Sequence, residues 1–337
     1  MRQKDYNIEI MRIVAFIMVI VIHVANYFSR AYGNISTGEY IYSVTFNAMA
    51  RVSVPCFFMM SGALLLGRCE KIEKCLKRAG KFAVVLGVWT LLYVLFNTFY
   101  TKQGCDVLHL LKKPAEAHLW YLYALIPIYI ILPFLQVLCK HMGKELEMAF
   151  VRIGFIWFVV SYVLSYFKQS FYYDLPIFGD KSYIFYMFCG YLISKYKDEI
   201  RFKQKTLLAV YMMGCILIVI AAVTGASITG AHFDRFFEYG SPIVMINSIC
   251  VFTYIMRMGG GSIQLSDKVK TWVDTCCGCS FGIYLIHVMF LDMYKIHIPA
   301  AQFSPYYMLP ALVIAVALAS FVSVFVLRKT KIGKMIL

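Results

Sequence analysis

The chain has 337 residues, of which 61% are hydrophobic and only 15% charged, with a mean hydropathy of +0.70. Soluble domains run nearer to about 45–50% apolar and about 25% charged, so a soluble globular protein is excluded. The apolar runs are continuous rather than alternating, which excludes a β-barrel, and the net charge of +15 sits between those runs, where it reads as a membrane topology signal rather than a nucleic-acid site.

Taken in chain order, ten spans approach the roughly 20 residues that a helix needs to cross a hydrocarbon core. They are 7–28, 43–66, 82–101, 119–139, 149–168, 182–195, 206–228, 240–257, 276–295 and 305–327. The sixth is short and the eighth is the least apolar. The fold class is therefore all-α, a polytopic membrane protein with about ten transmembrane helices. The first span carries Arg12 inside it and no small-residue cleavage site after it, so it reads as a retained helix and not a signal peptide. With the N-terminus in the cytoplasm, 22 of the 33 Lys and Arg fall on the cytoplasmic side and 8 on the other. That asymmetry predicts both termini inside a plasma or inner membrane. The chain is expected to be one domain over 1–337 with no separate soluble domain, its longest loop being 257–275. The 67–81 segment, GRCEKIEKCLKRAGK, places Ile72 and Leu76 at i,i+4 among basic residues. It reads either as an interfacial helix on anionic lipid or as a solvated loop.

Of eleven cysteines, Cys56, Cys139, Cys189, Cys215 and Cys250 lie within or at the ends of spans and read as small buried hydrophobes. The CCGC cluster of Cys276, Cys277 and Cys279 has no nearby histidine pair at metal-ligand spacing. Only Cys105 lies clearly in an outer loop. Neither a disulfide nor a metal site is predicted.

The polar residues inside spans are the candidates for chemistry, because lipid tolerates ionisable groups poorly. In MRIVAFIMVIVIHV, Arg12 and His23 are eleven residues apart. That is three helical turns plus roughly 20°, so they share one face about 16 Å apart along the axis. Glu9 is one turn before Arg12 and able to pair with it. RVSVPCFFMMSGALLL adds Arg51, and Pro55 is expected to free a carbonyl and kink the second helix. Ser61 and Gly62 permit a close helix approach. HLWYL supplies His118 and Trp120, otherwise readable as an interfacial belt. SFGIYLIHV supplies Tyr284 and His287 in the ninth span.

These stretches together resemble acyltransferase family 3, the integral-membrane O-acyltransferases of bacterial surface glycans. IEIMRIVAFIMVIVIH resembles the family's first-helix signature of an acidic residue, Arg, ten residues and His, with Glu9 where the family more often has Asp. VPCFFMMSGALLL resembles its second-helix segment, and HLWYL and YLIH resemble shorter signatures. The resemblance implies acetyl-CoA as an acyl-donor substrate on the cytoplasmic side, with no tightly bound cofactor, and an acceptor hydroxyl on a surface glycan or lipid-linked sugar. It implies that Arg12 and Arg51 serve the acyl-CoA with Glu9 orienting Arg12. His23 would act as general base or, alternatively, carry the acyl group as a nucleophile. Ser61, Trp120, His118, Tyr284 and His287 are weaker candidates. Some family members carry an extracytoplasmic hydrolase-like domain, and none is visible here. A separate extracytoplasmic transferase partner, or an acceptor that comes directly to the membrane, is expected instead.

Two other functions fit the same composition. The unit also resembles the membrane part of serine-racemase proteins, which implies a transporter of a small polar solute such as serine. A membrane scaffold or sensor would not need His23. Among the outer loops, 169–181 with Tyr172, Tyr173 and Asp174, and 229–239 with His232, Asp234, Arg235 and Glu238, are the expected sugar readers.

Overall fold

A computed structural model describes residues 4–336 apart from 103, 105, 176, 179, 180 and 262, so Cys105 lies outside the described residues. The helices are α1 Tyr6–Ser29, α2 Thr37–Ala50, α3 Ser53–Leu65, α4 Ile72–Phe96, α5 Trp120–His141, α6 Lys144–Tyr166, α7 Tyr183–Lys195, α8 Gln204–Thr229, α9 Pro242–Met256, α10 Asp267–His297, α11 Pro305–Leu327 and the short α12 Lys331–Ile336. Among the described residues no strand occurs, and nine helical segments are long and apolar enough to cross a bilayer. The protein is an all-α, multi-pass membrane protein.

α7 has 13 residues, about 20 Å of helix, and falls outside those nine segments. It nevertheless joins the two ends of the bundle. At its start Tyr186 donates to the Tyr239 carbonyl at 2.6 Å, and at its end Lys195 pairs with Glu147 at 2.7 Å. Every residue from Phe185 to Ile193 is buried. A helix sheathed by other helices needs no lipid-matching length. Its tightest partner is α3, where Gly62 packs on the Met187 carbonyl and Gly190 on the Met59 carbonyl so closely that neither leaves room for a Cβ. Small residues that let two backbones touch are the usual device for packing helices in lipid.

Three span boundaries differ from the sequence reading, each for a physical reason. The second span is two helices meeting at Arg51. Pro55, with no N–H, cannot donate to the Arg51 carbonyl in the helical ladder. The segment also begins at Thr37, where Ser36 and Glu39 form a capping box. The 67–81 stretch is neither a separate interfacial helix nor a loop beyond Lys71: from Ile72 it is the first three turns of α4, with Ile72 and Leu76 turned outward. α10 begins at Asp267 and not at residue 276, so CCGC lies inside a 31-residue helix and the preceding loop is much shorter than 257–275. Ten of the cysteines are free, and nine of them lie buried in helices of the bundle, Cys69 being the exposed one.

Each end of the bundle is stitched by polar contacts. At one end Asn7 donates to the carbonyls of Ile255, Met256 and Met258 at 3.0–3.1 Å and accepts from Ile263 N at 3.0 Å. The turn it holds runs through Gly259 and Gly260 at φ +60° and +68°, a conformation that disfavours any side chain. Lys4 pairs there with Asp274 at 2.7 Å, on the same face as Arg328 and Lys329. The first and last described helices therefore both reach this end. Glu70 lies here too. Partial burial pushes its carboxyl up, but Lys74 and Arg78 outweigh that and hold it below the usual range. At the opposite end Tyr27 donates to the Ile298 carbonyl at 2.8 Å, and Tyr40 bonds His232 at 3.0 Å.

Glu147 is fully buried, held by Lys195, Tyr191 and Tyr196. Lys195→Met strips the cation from that carboxylate and is expected to lower stability by about 3 kcal/mol. Adding Glu147→Gln in the same chain is expected to restore most of it, a cycle readable by thermal unfolding in detergent.

Candidate active site

One cavity of about 540 Å³ runs through the middle of the bundle, within the size range of small-molecule sites. Its walls follow from helical spacing. α1 contributes Arg12, Val19, His23 and Asn26, and α10 contributes Cys277, Ser280, Phe281 and Tyr284, in each case one face at steps of three, four or seven. α3 adds Phe57 and Ser61, α4 adds Lys81 and Phe82, and α5 adds Tyr121, Leu125 and Tyr129.

The terminal end of the cavity is cationic. Arg12 Nη1 meets Glu9 Oε2 at 2.8 Å, leaving the rest of the guanidinium toward the cavity. Glu9 is nearly buried, and its own carbonyl accepts from the Cys277 thiol at 3.3 Å. Lys81 shares this mouth and is exposed. In between, Phe82, Tyr129 and Phe281 make an aromatic waist with ring centroids 5.1 and 5.8 Å apart.

At the far end three histidines converge from α1, α10 and the turn before α5. The His23 ring centroid is 5.0 Å from that of His287 and 6.3 Å from that of His118, and these two are 5.3 Å apart. His118 reaches this place because Ala117–Leu119 is a single 3-10 turn, capped by Glu116 accepting from Ala117 N at 3.1 Å. Burial, and then the Asp292 carboxylate, push Glu116 above the usual carboxylate range. His118 is 3% exposed and His287 0%, while His23 is half-buried and lines the cavity. Tyr284 donates its hydroxyl to the His118 carbonyl. His118 is therefore not part of an interfacial belt.

Arg51 also opens on this end. Its Nε donates to the Phe237 carbonyl, and its guanidinium lies 4.9 Å from the Tyr239 ring centroid. The helix break at Arg51 aims it inward, and no carboxylate ion pair with it occurs among the described residues. Trp120 lines the same end and stacks on Tyr183 at 5.2 Å. Ser61 lines the wall but spends its hydroxyl proton on the Phe57 carbonyl at 3.0 Å.

Every sequence-derived site residue thus stands at this cavity or against its wall. Of the two outer loops, 229–239 reaches it through Tyr239, whereas no described residue of 169–181 lines it, and Tyr172 and Tyr173 are 89% and 78% exposed. Asn26, Lys81 and Tyr239 are additional lining residues. The signal for Asn26 was in the sequence, a polar side chain one turn after His23 on the same face; Lys81 and Tyr239 come in only through tertiary packing. No cluster of three or more His, Cys, Asp or Glu suited to a metal ion is found among the described residues.

Residues 5–329 match the model of the acyltransferase domain family. The chain belongs to acyltransferase family 3. This family 3 chain is also 24% identical, over 371 residues, to an amino-acid racemase of Enterococcus faecalis, a match covering 98% of this chain and 47% of that one. It spans about half the length of that curated relative. No solved structure matches it.

Proposed function

We propose that this family 3 protein is a membrane O-acyltransferase of the plasma or inner membrane. It moves an acetyl group from acetyl-CoA, entering at the end where the first described helix begins and the last one lies, to a hydroxyl of a surface glycan or lipid-linked sugar at the other end. That donor side is the cytoplasmic one, in keeping with its basic loops. The observation that carries the reading is one cavity with Arg12 and Lys81 at its mouth, His23 about 16 Å further along α1, and Arg51 lining the His23 end. A thioester on a long, narrow arm suits such a passage, because its anionic end stays with the cations while the reactive carbonyl reaches the base.

The chemistry then needs few parts. The acceptor hydroxyl loses its proton to His23 as its oxygen bonds to the acetyl carbon. Negative charge gathers on the carbonyl oxygen, where Arg51 and the amide of Asn26 are placed to meet it. The carbon–sulfur bond breaks, and the proton held on His23 passes to the departing thiolate. Trp120, Tyr121 and Tyr239 offer ring faces suited to a sugar. A separate extracytoplasmic transferase finishes delivery where the acceptor does not reach the membrane.

A second reading is a carrier for a small polar solute such as serine. It draws on the match to an amino-acid racemase and on Arg51, which is able to hold a carboxylate. Calorimetry with protein in lipid nanodiscs separates the two. Acetyl-CoA is expected to bind, and Lys81→Ala or Arg12→Gln to weaken it about tenfold each, the worth of one charge-assisted contact. Folded protein that ignores acetyl-CoA but takes up serine saturably in liposomes would instead establish the carrier.

A further inference from the structure

The three histidines do not have equal freedom. His287 Nδ1 lies 2.7 Å from the Tyr284 carbonyl and 3.2 Å from that of Ile283. Two acceptors at that nitrogen require it to carry the proton, so in the neutral ring Nε2 is bare. His118 Nε2 lies 3.3 Å from the Leu285 carbonyl, which puts its proton there and leaves Nδ1 bare. Those two bare nitrogens are both buried, and neither has a hydrogen-bond partner among the described residues. A buried acceptor without a donor is costly, so such atoms point to a group that completes them. The neighbouring hydroxyls are already committed. Tyr93 donates to the Leu285 carbonyl at 2.9 Å, and Tyr284 to the His118 carbonyl. The ring of His23 faces both of them, 5.0 Å from His287 and 6.3 Å from His118.

We propose that His118 and His287 form a paired acceptor that holds a proton on the near nitrogen of His23, so that its other nitrogen is presented bare to the cavity. The ring separations of 5.0 and 6.3 Å are closed by rotation of His23 or by one bridging water. His287, fully buried off the cavity, and His118, 3% exposed where it borders the cavity, are positioning residues: they act by fixing which nitrogen of His23 is the base. The orienting group is made of two neutral rings where other bases use a carboxylate. It adds no negative charge to the membrane interior. It also fixes the direction of proton flow: His23 receives its second proton from the cavity side and returns it there, to the departing thiolate, with no proton lost through the cluster.

The tautomer claim stands on geometry alone; its kinetic consequence rests on the acyl-transfer reading. The test is nitrogen NMR of 15N-histidine-labelled protein in lipid nanodiscs, assigned by single substitutions. The expected spectrum has His287 protonated at Nδ1, His118 at Nε2, and His23 as one neutral tautomer. His287→Phe or His118→Phe is expected to make His23 a tautomer mixture. His287→Gln and His118→Asn, which keep an acceptor near the lost nitrogen, are expected to restore the single form. In thiol release from acetyl-CoA, His287→Phe is expected to lower kcat roughly 10- to 100-fold, by analogy with lost orienting partners elsewhere, and to leave KM within about twofold. His287→Gln is expected to recover most of kcat. A mixed or doubly protonated His23 in the wild type at neutral pH overturns the proposal, as does stoichiometric metal shifting all three rings. Equal kcat losses in the Phe and Gln variants overturn its kinetic part. A single His23 tautomer without any thiol release would leave the acceptor pair standing and refute acyl transfer.

Discussion

His23→Ala is expected to lower thiol release from acetyl-CoA by at least about 100-fold, the low end of what a positioned general base supplies. Acetyl-CoA binding is expected to stay within about twofold, because the charged contact at Arg12 lies about 16 Å away along α1 and Lys81 shares that mouth from α4. The split between kcat and binding is the informative part. His23 is half-buried on the cavity wall and not in the packed core, so its truncation enlarges a space that already exists. Loss of catalysis with a melting temperature near the wild type therefore assigns the effect to the imidazole. His23→Gln is the stricter variant, since it preserves volume and polarity but cannot take a proton at neutral pH. Retained turnover in His23→Gln would remove His23 from the proton-transfer role.

The second large effect is structural. Gly62→Val or Gly190→Val is expected to cost about 3 kcal/mol or more, at or beyond the upper end for forced overpacking. The two glycines meet reciprocally, each against a backbone carbonyl of the other helix, at Met187 and Met59. A carbonyl belonging to a continuous helix cannot step aside as a side-chain tip can. The middle of α7, Phe185 to Ile193, is also buried in protein, so it cannot drift into lipid to relieve the clash. Gly87→Ala in α4 is the control, since a Cβ there meets nothing within 4 Å. Its melting temperature is expected to change little, while both valine variants lose folded yield in detergent. If the valine variants melt with the wild type, the α3–α7 crossing is not the tight contact described.

Much of this was legible before the structure. Apolar runs gave the crossing helices because lipid forces every backbone group into a local hydrogen bond, and so length and composition suffice. The shared face of Arg12 and His23 followed from helical geometry alone. Pro55 announced a kink, though not that it would split α2 from α3 and turn Arg51 inward. Less local features were hidden. α7 was read as a short sixth span, and the sequence does not show that enclosure by protein, not lipid, sets its length. His118 looked like an interfacial residue since nothing in HLWYL shows the 3-10 turn that brings it in. The meeting of His23, His118 and His287 is a tertiary event among three distant segments, and no spacing rule reaches it. The CCGC run was read as holding no metal, and Cys277 is buried, yet it also lines the cavity and its thiol donates to the Glu9 carbonyl.

The claim that the cavity carries an acyl group from the terminal end to His23 is tested most directly by sidedness. Protein is reconstituted into liposomes, the share of molecules with the N-terminus outward is measured by protease access to a terminal tag, and acetyl-CoA labelled in the acetyl group is added outside only. The expected result is free thiol outside in proportion to the N-terminus-out fraction, label appearing in the lumen as acetate or ester, and both lost in His23→Ala. Label that stays outside, or thiol release that ignores orientation, would contradict the account.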